Sequence, residues 1–156
     1  MSDYSPPLQD MRFVLENIVD LAGLAKLPGY EHVDPDMVHG ILEESGRFFA
    51  QELTPLNRVG DVQHSRRNDD GSVTTPEGFR RAYGRYVDAG WAAVPFPDEY
   101  GGGGFPWIVA IAMQEMMNAA NMAFSLCPLL TQGAIDMLEH YGSEEQRETY
   151  LPKMVS

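Results

Sequence analysis

The chain has 156 residues, about the length of one ordinary domain, with 44% hydrophobic and 22% charged residues, which excludes wholesale disorder. Eleven Lys and Arg against 23 Asp and Glu give a formal net charge of −12. This balance argues against binding to nucleic acid or to an anionic membrane surface, because both need a basic face. The longest apolar run has nine residues, far fewer than the roughly 20 that a membrane span needs.

The numbers and spacing of cysteine and histidine indicate the redox compartment of the protein and whether it has a metal site. The single cysteine, Cys127, excludes an intrachain disulfide and is typical of a reducing, cytoplasmic setting. The four histidines lie far apart, and none pairs with Cys127 at a zinc-ligand spacing, so we expect no metal site. We expect Cys127, next to Pro128 in an apolar helix, to be a buried and unreactive thiol.

Apolar residues at steps of three and four predict two helices in the first third of the chain. The first is predicted over residues 8–24 with Ser5 as its cap, and the second over residues 34–54 with Asp34 as its cap. Residues 57–75 are polar, carry an Asp-Gly turn signal and are predicted to be irregular.

The rest of the chain is predicted to form further helices over residues 76–89, 107–118, 122–141 and 144–151. Pro128 is expected to kink its helix. Ser143 and Gln146 form a capping box, and Pro152 is expected to end the last helix. Residues 92–96 are the only candidate strand. The prediction is therefore an all-α bundle of five to six helices.

Three features suggest chemistry, and each also has a structural interpretation. Gly101–Gly104 precedes a helix, where phosphates bind, but the acidic residues just before it favour a tight turn instead. Glu115 is the one carboxylate in the apolar helix, where a buried acid could do acid–base work or make a satisfied polar contact. The methionines at positions 113–122 are either core filler or a flexible wall for a long-chain ligand.

Several short segments resemble the acyl-CoA dehydrogenase family, in matching order and over nearly the whole chain. FPDEYGG at residues 96–102 resembles the family's PEEYGG turn, and YGSEEQ at residues 141–146, followed by YLP at 150–152, resembles one of its helices. Residues 118–135 are similar to the large-subunit branch, which includes 3-methylmercaptopropionyl-CoA dehydrogenase and many actinobacterial fatty acyl-CoA dehydrogenases.

The resemblance implies an FAD enzyme that oxidises an acyl-CoA to its 2,3-enoyl-CoA and passes electrons to an electron-transfer flavoprotein. Residues 1–156 resemble only the N-terminal helical domain of that family. The middle β domain, which contacts FAD, and the C-terminal helical bundle, which carries the glutamate base, have no counterpart here. The resemblance therefore implies a piece of a longer protein, truncated after Ser156, that is inactive alone. It names no catalytic residue in this chain, and Glu115 is not the base.

By the same resemblance, this domain walls the acyl end of the substrate pocket. Matching Gly133 to a glycine of the family puts Phe124, Ser125 and Pro128 at pocket-facing positions, and helical spacing adds two more. The candidate substrate-binding residues are Phe124, Ser125, Pro128, Leu129 and Met116. Phe124 and Pro128 depart from the polar residues that shorter-chain relatives often carry, so the acyl chain length is not implied.

Two alternatives from other classes stay open at this point. The chain is then either a helical protein-interaction module or an acyl-binding bundle that acts alone without enzyme activity. If the family resemblance holds, a helical face meant for the other domains is exposed as a large apolar patch. We therefore also expect a homo-oligomer, with self-association of the chain through that face.

Overall fold

The computed structural model describes residues 4–155, and these form a helical bundle. The described residues contain seven α-helices, of which six are longer than one turn, so the predicted fold class is confirmed. Their bounds are α1 Leu8–Asn17, α2 Leu21–Leu24, α3 Pro35–Phe48, α4 Leu56–Gln63, α5 Phe79–Asp88, α6 Trp107–Tyr141 and α7 Glu144–Val155. A π-helical turn, Phe49–Leu53, continues α3, and a 3₁₀ turn, Asp98–Tyr100, precedes α6. Two short antiparallel strands, β1 Arg66–Arg67 and β2 Val73–Thr74, complete the fold.

The α3 helix begins where its sequence predicts. The Asp34 carboxylate accepts hydrogen bonds from the Asp36 and Met37 amides at 2.8 and 3.2 Å, and Pro35 occupies the first helical position. A carboxylate at this position satisfies amides that have no partner inside the helix and favours the positive end of the helix dipole.

The predicted helix over residues 8–24 breaks after Asn17. Asp20 has a φ of 59°, in the left-handed region, and its side chain accepts from the Gly23 amide at 3.1 Å to start α2. The apolar pattern continues across the break because Leu15 and Leu21 both face the core. Ser5 is not a cap, since α1 begins after Pro7 without a side-chain cap.

Residues 57–75 are more ordered than the sequence predicts. They contain most of α4, whose first residue, Leu56, is buried, and the β1–β2 ladder, whose turn includes the predicted Asp70-Gly71. The candidate strand over residues 92–96 is wrong: that segment forms turns. Periodicity gave no signal for the ladder because all four of its strand residues are exposed, and local bonds close its turn, such as the Asn68 amide to the Ser72 carbonyl at 2.8 Å.

The long α6 helix changes direction at Asn121, whose backbone is extended with φ −161° and ψ 95°. The Asn121 side-chain oxygen accepts from the Phe124 amide at 3.0 Å, as a helix cap does, and its NH₂ donates to the Leu53 carbonyl at 3.1 Å. Residues 107–120 and 122–141 are thus two arms of α6, close to the two helices predicted. The kink expected at Pro128 is wrong, because Pro128 keeps helical dihedral angles.

The first arm of α6 lies at the centre of the bundle, as its all-round apolar sequence predicts. Val109, Met113, Met116 and Met117 are all buried there, among side chains of α3 and the π-helical turn. These methionines fill the core, where an unbranched thioether adapts to irregular space.

The last helix, α7, begins with the predicted capping box. The Ser143 amide donates to the Gln146 side chain at 2.9 Å, and the Gln146 amide donates to the Ser143 hydroxyl at 3.3 Å. The expected end at Pro152 is wrong, because α7 continues to Val155. Leu151 and Val155 are fully buried in a second, smaller core cluster, and this packing holds the helix across the proline.

Candidate functional site: an apolar groove on the second arm of α6

The glycine-rich loop before α6 is a tight turn and not a phosphate cradle. The amides of Gly102, Gly103 and Gly104 donate to carbonyls of the preceding turn at 2.9, 3.0 and 2.8 Å. A Cβ at Gly102 would lie 2.0 Å from the Phe96 carbonyl oxygen, so the chain approaches itself too closely for any other residue. Because these amides are used inside the loop, they do not fit the phosphates of FAD or of CoA.

A shallow groove of about 430 Å³ lies between the start of α6 and its second arm. Its walls are Trp107, Leu129, Gln132, Gly133 and Asp136. Trp107 and Leu129 are both about two-fifths exposed at 40% and 41%, so the groove offers apolar surface to solvent. Within residues 4–155, no atom lies within 4 Å of the position that a Cβ would take at Gly133. The glycine therefore opens a gap in the exposed face of the helix.

The groove continues into an apolar stripe along the second arm, which we call the α6 stripe. It consists of Met122, Leu126, Leu130, Met137 and Tyr141. Leu130 is 74% and Tyr141 87% exposed. At 100° per residue, the five positions fall within about 100° of one helix face, and their Cα atoms span roughly 28 Å along the axis. The described residues of the chain leave this face uncovered.

The candidate substrate-binding residues do not share one wall. Leu129 lines the groove, whereas Phe124 lines a separate cavity and Pro128 lines a third one against α5 and α7. Ser125 is fully buried and its hydroxyl donates to the Met122 carbonyl at 2.8 Å. Met116 is fully buried in the main core.

The polar and aromatic residues of the groove were not predicted from the sequence. Gln132 and Asp136 lie three and seven residues after Leu129, the spacing that keeps side chains on one helix face, and that spacing was the available signal. Trp107 carried no such signal, because the turn at Asn121 brings it near the second arm.

The separate cavity that Phe124 lines is larger, at about 840 Å³, and lies between α4, β2, α5 and the second arm of α6. Phe79, Tyr83 and Phe124 supply its aromatic surface, with the Phe124 ring 6.4 Å from Phe79 and 6.3 Å from Tyr83 between centroids. Burial raises the pKa of the Tyr83 phenol, and the neighbouring Cys127 thiol adds to the effect. The interpretation of Cys127 as buried is wrong: it is exposed at this cavity because it lies about 100° around the helix from the buried Pro128.

Glu115 is also exposed, so it is not the buried carboxylate that its apolar neighbours suggested. Its helix is buried on most sides, but position 115 falls on the narrow solvent-facing edge. Across residues 4–155, no three His, Cys, Asp or Glu residues gather in a way that could hold a metal ion. In the same residues, no helix combines the length and apolarity that crossing a membrane requires.

Comparison with known proteins places the chain in a family. The sequence model of the acyl-CoA dehydrogenase N-terminal domain matches residues 39–156. The chain is 39% identical over 153 residues to 3-methylmercaptopropionyl-CoA dehydrogenase of Ruegeria pomeroyi, covering 98% of this chain and 26% of that protein. It is 27% identical over 157 residues to a butyryl-CoA dehydrogenase of Syntrophomonas wolfei, covering 99% and 26%. It is 28% identical over 155 residues to the broad-specificity linear acyl-CoA dehydrogenase FadE5 of Mycobacterium tuberculosis, covering 95% and 24%.

The chain therefore belongs to the acyl-CoA dehydrogenase family, a family of oxidoreductases, and the family resemblance seen in the sequence is confirmed. It spans about a quarter of the length of these relatives. The part it matches is the helical N-terminal domain, in agreement with the observed bundle.

Proposed function

We propose that this chain is the N-terminal domain, residues 1–156, of an FAD-dependent enzyme that oxidises an acyl-CoA to its 2,3-enoyl-CoA. In this proposal the domain walls the acyl end of the substrate pocket with the groove and the α6 stripe. The observation that carries it is the open gap at Gly133 beside exposed apolar side chains.

An acyl chain needs a dry apolar wall, because each buried methylene contributes roughly 0.8 kcal/mol to binding. The second arm of α6 exposes such a surface in a chain whose net charge is −12, where most exposed side chains are polar. Exposed apolar patches of this kind are typical of ligand grooves and of interfaces. Each of the three relatives is named for an acyl-CoA substrate, which supports the assignment to an acyl chain.

Gly133 favours a ligand over plain packing. A glycine inside a helix costs up to about 1 kcal/mol relative to alanine, and in the described structure no neighbour fills the space a side chain would take. The helical glycines Gly40 and Gly84 are equally open, but of the three only Gly133 lines the groove, and this position supports a ligand there. Leu129 flanks the gap, whereas Phe124, Ser125, Pro128 and Met116 do not line the groove.

The remaining parts of the enzyme lie outside this chain in our proposal. FAD and the catalytic base belong to regions that the relatives carry beyond the quarter matched here, and the glycine-loop amides do not fit the cofactor's phosphates. The chain is then inactive alone. The electron acceptor of the complete enzyme is an electron-transfer flavoprotein, and the enzyme is a cytoplasmic homo-oligomer.

The test replaces Gly133 by leucine in the complete enzyme and measures kcat/KM for acyl-CoAs from butyryl to palmitoyl. Filling the gap shortens the pocket, so kcat/KM for long chains falls, by about fourfold for each methylene displaced, while butyryl-CoA is unaffected. Gly84→Leu is the matched control, because Gly84 is an exposed helical glycine of α5 with nothing within 4 Å of its Cβ position.

Equal losses for all chain lengths, or no loss at all, would contradict the proposed wall. A second measurement tests acyl-CoA binding by the 156-residue chain alone. Saturable acyl-CoA binding by the 156 residues without any added region would instead favour an acyl-binding bundle that acts by itself.

A further inference from the structure

The cavity of about 840 Å³ beside Phe124 has a charge environment unlike the rest of the molecule. Residues 58–85 contain six arginines against four acidic residues, in a chain whose overall net charge is −12. None of the residues that line the cavity is acidic, and Arg80 and His64 are among them. The segment is therefore a local basic region in an acidic protein.

Two arginines of this region are free to meet a ligand. Arg80 lines the cavity, and Arg66 lies directly opposite Thr74, a lining residue, in the β1–β2 ladder. Residues directly opposite each other in an antiparallel pair project from the same face. Both arginines are exposed, and neither has a carboxylate partner within residues 4–155, whereas Arg58 and Arg85 pair with Asp61 and Glu52.

The interior of the cavity is apolar below this basic rim. Phe79, Tyr83 and Phe124 form the floor, and Ala123 contributes a small side chain on the α6 wall. A volume of this size lies within the range of small-molecule sites. An aromatic floor under a rim of unpaired arginines fits a ligand with an apolar tail and an anionic head.

We propose that this cavity binds an anionic amphiphile, an aliphatic chain that ends in a carboxylate or a phosphate. The tail packs on the aromatic floor and the head group pairs with Arg80 and Arg66. This site is separate from the groove at Gly133, because the two cavities share no lining residue.

The test measures binding of decanoate, decyl phosphate and 1-decanol to the 156-residue chain by isothermal titration calorimetry. Decanoate or decyl phosphate binds saturably, one per chain, and the uncharged alcohol binds at least tenfold more weakly. Lengthening the tail tightens binding by about fourfold per methylene. Raising the salt concentration weakens binding of the two anions but not of the alcohol. Tighter binding of decanoate indicates a free fatty acid as the ligand, and tighter binding of decyl phosphate indicates a phospholipid-like ligand.

Variants locate the site. Arg66→Ala with Arg80→Ala lowers the affinity for the anions at least tenfold, while Arg58→Ala, in the same segment but away from the cavity, leaves it unchanged. Ala123→Phe fills the cavity and abolishes binding, with Ala119→Phe on the exposed side of the first arm as its control. Gly133→Leu leaves binding intact, which separates this site from the proposed acyl wall.

The proposal is overturned if neither anion binds saturably, if decanol binds as tightly as decanoate, or if the double arginine variant binds like the unmodified chain. Circular dichroism shows whether Ala123→Phe folds. The two arginine positions are exposed, so their variants decide the question even if that one does not fold.

Discussion

Asn121 connects three parts of the bundle through one side chain. Its oxygen caps the second arm of α6 at the Phe124 amide, and its NH₂ satisfies the buried Leu53 carbonyl at the end of the π-helical turn. Asn57 from α4 in turn donates to the Ala120 carbonyl, which the change of direction frees from the helix ladder. The direction of the second arm, and with it the position of the groove, therefore depends on Asn121.

Replacing Asn121 by alanine removes the cap and leaves the Leu53 carbonyl without a partner in the core. A lost cap costs about 1 kcal/mol and a buried unpaired carbonyl about 1–3 kcal/mol, so we expect a loss of about 2–4 kcal/mol in the free energy of unfolding. Thermal unfolding followed by circular dichroism measures this as a fall in Tm of roughly 5–15 °C.

Two further variants control this prediction. Asn121→Ser keeps an acceptor for the cap, so it restores part of the loss. Asn17→Ala removes only an exposed bond to the Phe13 carbonyl and changes the stability by less than about 0.5 kcal/mol. An Asn121→Ala chain as stable as the Asn17 variant would show that the amide does not hold the bend.

At the scale of helices, the start of α7 is set by local hydrogen bonds and its end by packing against distant parts of the chain. Its start is set by Ser143 and Gln146, which satisfy each other's backbone amides. Its end is set by packing, because Leu151 and Val155 are buried on either side of Pro152. Pro152 removes one amide that would pair with the Glu148 carbonyl, and Glu148 is exposed, so water can satisfy that carbonyl at little cost.

Ser143→Ala tests whether the local capping bond sets the start of α7. The loss of one capping acceptor lowers the free energy of unfolding by about 1 kcal/mol and Tm by roughly 2–4 °C. Ser5→Ala is the matched control, because Ser5 resembles a cap in the sequence but caps no helix in the structure. A larger change from Ser5 than from Ser143 would contradict the assignment of the caps.

The contrast between local and long-range interactions also explains which features could be predicted from the sequence. Helix starts at Asp34 and Ser143 were predictable, since a capping side chain acts on amides two or three residues away. The break between residues 118 and 122 was predicted and occurs at Asn121, whereas the additional kink expected at Pro128 is absent. The partner that holds the bend, Leu53, lies 68 residues away along the chain and could not be predicted from local pattern. The groove was found only in part for the same reason: Leu129 follows helical spacing, whereas Trp107 reaches the groove through the bend.

At the scale of the whole molecule, the apolar α6 stripe and the high negative charge have opposite effects on self-association. The α6 stripe favours association, because two copies that cover it remove apolar surface from water. The net charge of −12 opposes association through repulsion between copies. Salt screens the repulsion and leaves the hydrophobic contribution nearly intact, so the balance shifts with ionic strength.

We therefore predict that the 156-residue chain self-associates through the α6 stripe, and more strongly as salt rises from about 0.01 to 0.15 M, where the Debye length shortens from about 30 to 8 Å. Sedimentation velocity over a range of protein concentrations measures the shift from monomer to larger species. Leu126→Glu with Leu130→Glu places charge on the stripe and keeps the chain monomeric.

Phe13→Glu with Ile18→Glu is the matched control, because these residues are 60% and 70% exposed at the start of the chain, away from the second arm of α6 in sequence. It leaves self-association unchanged if the α6 stripe is the contact. Loss of association in this control alone would assign the contact to α1. A monomer at every concentration and salt condition would show that the exposed stripe does not bring two copies together, and that repulsion between acidic surfaces exceeds the hydrophobic gain.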